Sequence, residues 1–202
     1  MIKEYTATRV DDAFDWQDID TATMEFKYFD TPDSYEGYGQ LAYDDDNLYV
    51  HLVKIEDETL TTQSGTLGSP CVDSCLEFFF CPMEGDNRYF NIEFNSNGCI
   101  FLGVGSGVHD LMRLVTEEGD TADWFSPEIN KSEGGWDITY TIPYSFIRRV
   151  FRDFEMKDSK TMRANFYTCA DNTEPPHYLS WNPIEGEPFR YHRPECFGLI
   201  KF

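Results

Sequence analysis

One carboxylate, Glu77, interrupts the apolar run CLEFFFC between Cys75 and Cys81. Side chains two apart on a strand share a face, so Glu77 goes with Cys75, Phe79 and Cys81, opposite Leu76, Phe78 and Phe80. In RYFNIEFN, Phe90, Ile92 and Phe94 separate in the same way from Tyr89, Asn91, Glu93 and Asn95. In TMRANFYTCAD, Ala164, Phe166 and Thr168 separate from Arg163, Asn165, Tyr167 and Cys169. If the apolar faces all point inward, the opposite face of one sheet gathers Glu77, Asn91, Glu93, Arg163 and Asn165 among tyrosines. Carboxylates, amides and a guanidinium bind hydroxyls in pairs, and aromatic rings lie against C–H faces, which is the chemistry of a polyol or sugar groove. The proline-punctuated segment NTEPPHYLSWNPIEGEPFRYHRPEC offers Tyr178, Trp181, Phe189, Tyr191 and His192 as rings. A purely structural account uses the same residues, with Glu77 or Glu93 paired to Arg163 beneath a covering loop.

Other chemistries are weaker on these residues. Glu77 and Glu93 on adjacent strands form a carboxylate pair of the kind that hydrolyses glycosides, but any polar sheet face yields such pairs. No G-x-S-x-G motif accompanies the four histidines. A haem-binding sandwich would need Met24, Met83, Met112 or Met162 facing His51, His109, His177 or His192, and there is no C-x-x-C-H. Cys71, Cys75, Cys81, Cys99, Cys169 and Cys196 show no zinc-finger spacing; Cys75 and Cys81 sit in an apolar strand, so buried thiols are expected. The run DDDN at Asp44–Asn47 has oxygen donors for calcium without the D-x-D-x-D-G loop, and reads as a solvated turn.

The elements that must position these residues are mostly strands. ATMEFKYFD reads as one strand ending near Thr31 and Pro32. GQLAYDDDNLYVHLVKIED reads as a hairpin turning at the Asp–Asn run, and CLEFFFCP, RYFNIEFN and CIFLGVG form a meander. VHDLMRLVTEEGD reads as a short helix or an irregular loop, and PEINKSEGGWDITYTIP as a hairpin. Pro143 opens PYSFIRRVFRDF, whose Phe146, Ile147, Val150, Phe151 and Phe154 predict a helix over 143–154. TMRANFYTCAD and FGLIKF close the set. Residues 1–202 are expected to form a single domain, an all-β antiparallel β-sandwich of jelly-roll-like form with that one short helix.

The 202 residues carry 37 Asp and Glu against 16 Lys and Arg, a formal charge of -21, which repels phosphate backbones and argues against nucleic acid. Such acidity suits neutral ligands or cations. No segment has the length of a membrane-spanning helix, so no membrane partner is expected. The first residues lack an apolar signal core, which points to a cytoplasmic protein with reduced thiols, or a secreted one if a signal has been removed. Oligomeric state is left open.

LAYDDDNLYVHLVKIED, DSCLEFFFCP, YFNIEFNSNG, WDITYTIP, RANFYTCAD, LSWNPI and HRPECFGLIKF arrive in an order that resembles the family 9 carbohydrate-binding modules, in particular a stand-alone family 9-like branch. The resemblance runs from about Asp11 to Phe202 and is most specific at Asp73-Ser74-x-x-Glu77, Tyr89-Phe90-Asn91 and Pro194 to Gly198. It implies a β-sandwich that binds sugars, often chain ends, with calcium as a structural support. By the same resemblance Glu77 contacts sugar, Asn91 and Glu93 contribute from the next strand, and Tyr191 is a stacking ring. The family's other ring precedes the Asp-Ser motif; here SPCVDS has none, and Trp181 is the candidate replacement. No catalytic domain is expected within residues 1–202, a departure from the family's usual role as an enzyme's appendage. A plain interaction module is the remaining reading of the residues alone.

Overall fold

A computed structural model describes residues 2–11, 13–117, 119–157 and 160–202. The chain begins with β1 (Glu4–Thr6), β2 (Thr8–Arg9), β3 (Ala22–Thr23) and β4 (Phe26–Tyr28). A hairpin of β5 (Glu36–Tyr43) and β6 (Asn47–Ile55) follows, then a meander of β7 (Cys75–Cys81), β8 (Tyr89–Asn95) and β9 (Ile100–Gly105). After β10 (Met112–Arg113) come β11 (Glu128–Ser132), β12 (Gly135–Pro143) and the helix α1 (Tyr144–Val150). The last strands are β13 (Thr161–Cys169), β14 (Tyr178–Ser180) and β15 (Gly198–Lys201).

Two sheets face each other. The larger runs β1-β15-β13-β7-β8-β9-β10, with β14 on β13 and β4 on β14; the smaller runs β11-β12-β6-β5-β2, with β3 on β5. Pairing is antiparallel apart from two short contacts made by the N-terminal segment, β1 with β15 and β2 with β5. The β5–β6 turn is set by Asp44, whose Oδ1 accepts from the backbone N–H groups of Asp46 (2.8 Å) and Asn47 (2.7 Å). Asp44 Oδ2 accepts from the Tyr49 hydroxyl, so this carboxylate serves the turn. At the β11–β12 turn Gly135 has φ 148, and a Cβ there would fall 2.2 Å from the Lys54 carbonyl oxygen.

The inward alternation is as the sequence predicts. Leu48, Val50 and Leu52 from β6, Leu76, Phe78 and Phe80 from β7, and Phe90, Ile92 and Phe94 from β8 fill the space between the sheets. Phe78 stacks between Phe80 and Phe166, with 5.0 Å between centroids on each side. The outward face is not a solvated one. Cys75, Phe79, Cys81, Tyr89, Tyr167 and Cys169 form a second apolar cluster with Tyr191 and Phe197 of the C-terminal segment, so every residue of β7 and β8 is buried.

Three local expectations change. ATMEFKYFD is two strands, not one: β3 pairs with β5 in the small sheet and β4 with β14 in the large one, the chain crossing between layers at the buried Met24. VHDLMRLVTEEGD contributes the short strand β10, paired with β9. The helix ends at Val150 because Phe151 leaves helical dihedrals (φ -112, ψ 84). That exit lets Phe151 reach Phe90 and Phe154 reach Tyr144, and Arg148 Nε ties the bend by donating to the Phe154 carbonyl.

Truncating a ring this enclosed leaves a cavity. Phe78→Ala is expected to cost about 3–5 kcal/mol, read as the shift in urea unfolding; a cost below about 1 kcal/mol would show that the sheets are not packed on this ring.

Candidate functional site

The register that buries Phe78 against Ile92 also sets Glu77 directly opposite Glu93 on the outer face, with Tyr167 flanking Glu77 on the other side. Both acids reach the floor of a cavity of about 440 Å³. Its floor also includes Cys71, Cys169 and Asp171, and its far wall is built from Phe29, Tyr178, Phe189, Arg190, Tyr191 and His192.

Burial, followed by the charge of Glu93, pushes the Glu77 carboxyl well above its ordinary value. Burial also lifts Glu93, to about 7, against the opposing pull of the Asn91 amide and the Arg113 charge. The Asn91 Nδ2 donates to Glu93 Oε1 at 2.8 Å. Asn91 Oδ1 is buried with no hydrogen-bond partner among the described residues. The two acids therefore hold a proton near neutrality, and the floor offers both a donor and an acceptor.

The Asp73-Ser74 part of the motif is an anchor. Asp73 is buried and accepts from the Thr62 N–H (2.8 Å), the Thr62 hydroxyl (2.6 Å), the Gln63 N–H (2.7 Å) and Asn95 Nδ2 (2.8 Å). Burial opposes its charge, but these donors win and hold it below the usual carboxylate value. Ser74 Oγ accepts from the Leu60 N–H at 2.9 Å. Together they fix the loop that leads into β7.

Behind the floor lies a buried ionic group. Lys54 Nζ donates to the Cys169 carbonyl (3.0 Å) and sits 3.2 Å from Glu56 Oε2, which also meets His177 Nε2 at 3.0 Å. All three side chains are fully enclosed. Burial would raise Glu56, but the His177 hydrogen bond and the Lys54 charge hold it below its ordinary value.

The far wall is aromatic. Phe29 is 70% exposed at the mouth, and its φ of 56 is a left-handed conformation in which a bulky side chain is strained. Its ring meets Tyr178 at 5.4 Å and Phe189 at 5.0 Å, both edge-on. Tyr191 stacks flat on Tyr167 at 4.1 Å and donates its hydroxyl to the Thr168 carbonyl at 2.8 Å. Burial and the neighbouring Arg190 push His192 down to about 4, so its ring is neutral. Its Nδ1 shares a hydrogen bond of 2.8 Å with the Tyr89 hydroxyl. The Arg190 guanidinium, half-buried at the wall, makes no hydrogen bond or ion pair to another described residue.

Of the residues expected from the sequence, Glu77, Glu93 and Tyr191 meet at this cavity. Asn91 sits beside it and orients Glu93. Asn165 is enclosed; its Nδ2 donates to the Asn182 carbonyl and its Oδ1 accepts from the Asn182 N–H, which pins the C-terminal segment to β13. Arg163 lies four register pairs along the ladder from Glu77, opposite Cys81, bonded to the Pro194 carbonyl and Asn87 Oδ1. It does not pair with either glutamate. Trp181 is 2% exposed and points between the sheets, edge-on to Tyr5 and Phe166 and lying over Gly198, so no ligand ring can lie on it. The histidine–methionine pairs considered for haem are dispersed: Met24 and Met162 are in the inter-sheet core, His51 bonds Gln40, and His177 bonds Glu56.

Phe29, Arg190 and Asp171 were not singled out from the sequence. The sequence pattern carries the strand through Phe29, but β4 ends at Tyr28, and what marks Phe29 is a left-handed backbone that alternation cannot report.

A family model described as carbohydrate-binding family 9 matches residues 8–202. The chain belongs to that family. A Bacteroides uniformis ATCC 8492 crystal structure of a protein proposed to bind carbohydrate is 26% identical, with TM-score 0.84 and full coverage of both chains. A family 9 module from Caldicellulosiruptor kristjanssonii in complex with glucose shares the fold at 13% identity and TM-score 0.67, over 98% of this chain and 95% of that one. The cellotriose complex of a family 9 module from the same organism gives 13% identity and TM-score 0.65, over 98% and 93%. No curated protein matches this chain. A family 9 chain is a non-catalytic carbohydrate binder on a β-sandwich, and this one has the two sheets to match.

The raised acid has a consequence for stability. In the folded protein Glu93 keeps its proton up to about pH 7, whereas an unfolded chain releases it near 4.5. This group therefore favours folding below 4.5, and the contribution is lost as pH rises through 7. In metal-free buffer, Glu93→Gln should raise the melting temperature by several degrees at pH 8 and leave it nearly unchanged at pH 4. Equal shifts at both pH values would mean that burial does not perturb this carboxyl.

Proposed function

We propose that this chain holds the end of a neutral saccharide in the 440 Å³ cavity, with rings on one wall and hydroxyl-binding groups on the floor. The observation that carries the reading is Phe29. A strained backbone holds a large ring in solvent, facing Tyr178 and Phe189, above the only facing pair of buried glutamates among the described residues. Apolar rings stand ready for the C–H face of a sugar, and Glu77, Glu93, Asp171 and Arg190 supply acceptors and donors for its hydroxyls. Asn91 orients Glu93, and Tyr191 closes the cavity with one face already occupied by Tyr167. The formal charge of -21 disfavours anionic glycans and leaves neutral ones. The glucose and cellotriose bound by the Caldicellulosiruptor modules make glucose-based chain ends the first ligands to try.

The carboxylate arrangement favours binding over hydrolysis. Glycosidases place their two acids on either side of the scissile bond. Glu77 and Glu93 instead rise side by side from adjacent strands on one floor.

Calorimetric titration with glucose, cello-oligosaccharides and an anionic glycan, alongside a glycan array with and without a chelator, tests the reading and its dependence on calcium. Glu77→Ala should fold and bind more weakly. Phe29→Gly should lose about tenfold in affinity, about 1.4 kcal/mol, without a drop in melting temperature, because glycine relieves the left-handed strain. Wild-type affinity in both variants, or release of reducing sugar by the wild type, would overturn it.

A further inference from the structure

We propose that Cys75, Glu77 and Cys169 form a binding site for a thiophilic divalent cation of the zinc class, set in the floor of the cavity with one coordination position open to it. The two sulfurs and a Glu77 oxygen all lie within 4.8 Å of one another, and all three residues are buried. The backbone makes this arrangement unavoidable. Cys75 and Cys169 are register partners on the antiparallel pair β7–β13, and Glu77 is two residues along on the same face. Three donors thus come from two rigid strands rather than from a loop, which limits how far they can spread.

The donor set selects the ion. Two thiols and one carboxylate suit zinc or cadmium, whereas calcium takes six to eight oxygens. Three protein ligands are one short of a closed tetrahedral site. Glu77 and Cys169 both line the cavity, so the missing position faces the space a ligand would enter, beside Glu93. The surroundings support the ligands at second hand. The Cys169 thiol lies 3.5 Å from the Cys71 carbonyl, and Lys54 Nζ fixes the Cys169 carbonyl itself. Without a cation these are neutral thiols crowded against acids. With one, the floor gains a fixed positive centre, and sugar hydroxyls become candidate fourth ligands. The site stands independently of the saccharide reading, because metal binding is measured directly.

The test is cobalt titration of the full-length, reduced, chelator-treated protein, followed by absorbance. One equivalent of Co(II) should produce intense thiolate-to-cobalt charge-transfer bands, which Zn(II) abolishes and Ca(II) does not. Cys75→Ser and Cys169→Ser should each weaken binding at least tenfold while circular dichroism stays native. Cys81→Ser, on the same strand and face, should retain the bands. Zinc should also slow alkylation of two thiols in the wild type, a readout that needs no variant. Absence of charge-transfer bands in the wild type would overturn the proposal, as would their persistence in the Cys75→Ser/Cys169→Ser double variant or their abolition by Ca(II).

Discussion

Two acids facing each other across a β-ladder are the constraint around which the rest is arranged. Glu77 and Glu93 meet because the residues on either side of them, Phe78 and Ile92, must face the inter-sheet core. A one-residue slip would relieve the acids only by driving them into that core and turning the phenylalanines out. The apolar register therefore wins, and the carboxyls are held together at a cost. The structure meets that cost locally, through a retained proton, the Asn91 amide and the distant charge of Arg113, rather than through a direct ion pair.

The outer face of the large sheet then had to be both covered and left open. Phe79, Tyr89, Tyr167 and the cysteines need cover, which the C-terminal segment supplies. Asn165 and Asn182 clamp that segment by their amides, and Tyr191 lies flat on Tyr167. The cover stops short above the two glutamates, and the gap is the cavity. A sheet with apolar cover on both faces, interrupted at one polar spot, is a different object from a sandwich with one wet face. It explains why the ligand walls come from loops while the floor comes from strands.

Much of this was legible in the chain. Period-two alternation found the strands, assigned their faces and brought Glu77 next to Glu93. The hairpins at Asp44–Asn47 and Glu133–Gly135 announced themselves through turn residues. The limits are equally physical. Alternation places residues on a face but not along it, so Arg163 and Asn165 were grouped with acids that lie further down the strand. Trp181 resembled a loop aromatic, yet the glycine at 198 leaves room for its indole beneath the sheet. The helical pattern continued past Val150 because Phe151 and Phe154 are core residues in an irregular turn. Phe29 lies inside the strand read over ATMEFKYFD, and nothing in that alternation marks its left-handed backbone or its exposure at the cavity mouth.

Lys54 gives the molecule one further property. It springs from β6 in the small sheet and ends on a carbonyl of β13 in the large one, locked by Glu56 and, through it, by His177. A flexible four-carbon stem serves here as a strut. Shearing one layer over the other would have to break an ion pair sealed away from water, an expensive event compared with sliding greasy surfaces. That corner of the sandwich is thus braced against shear, beside the receptacle.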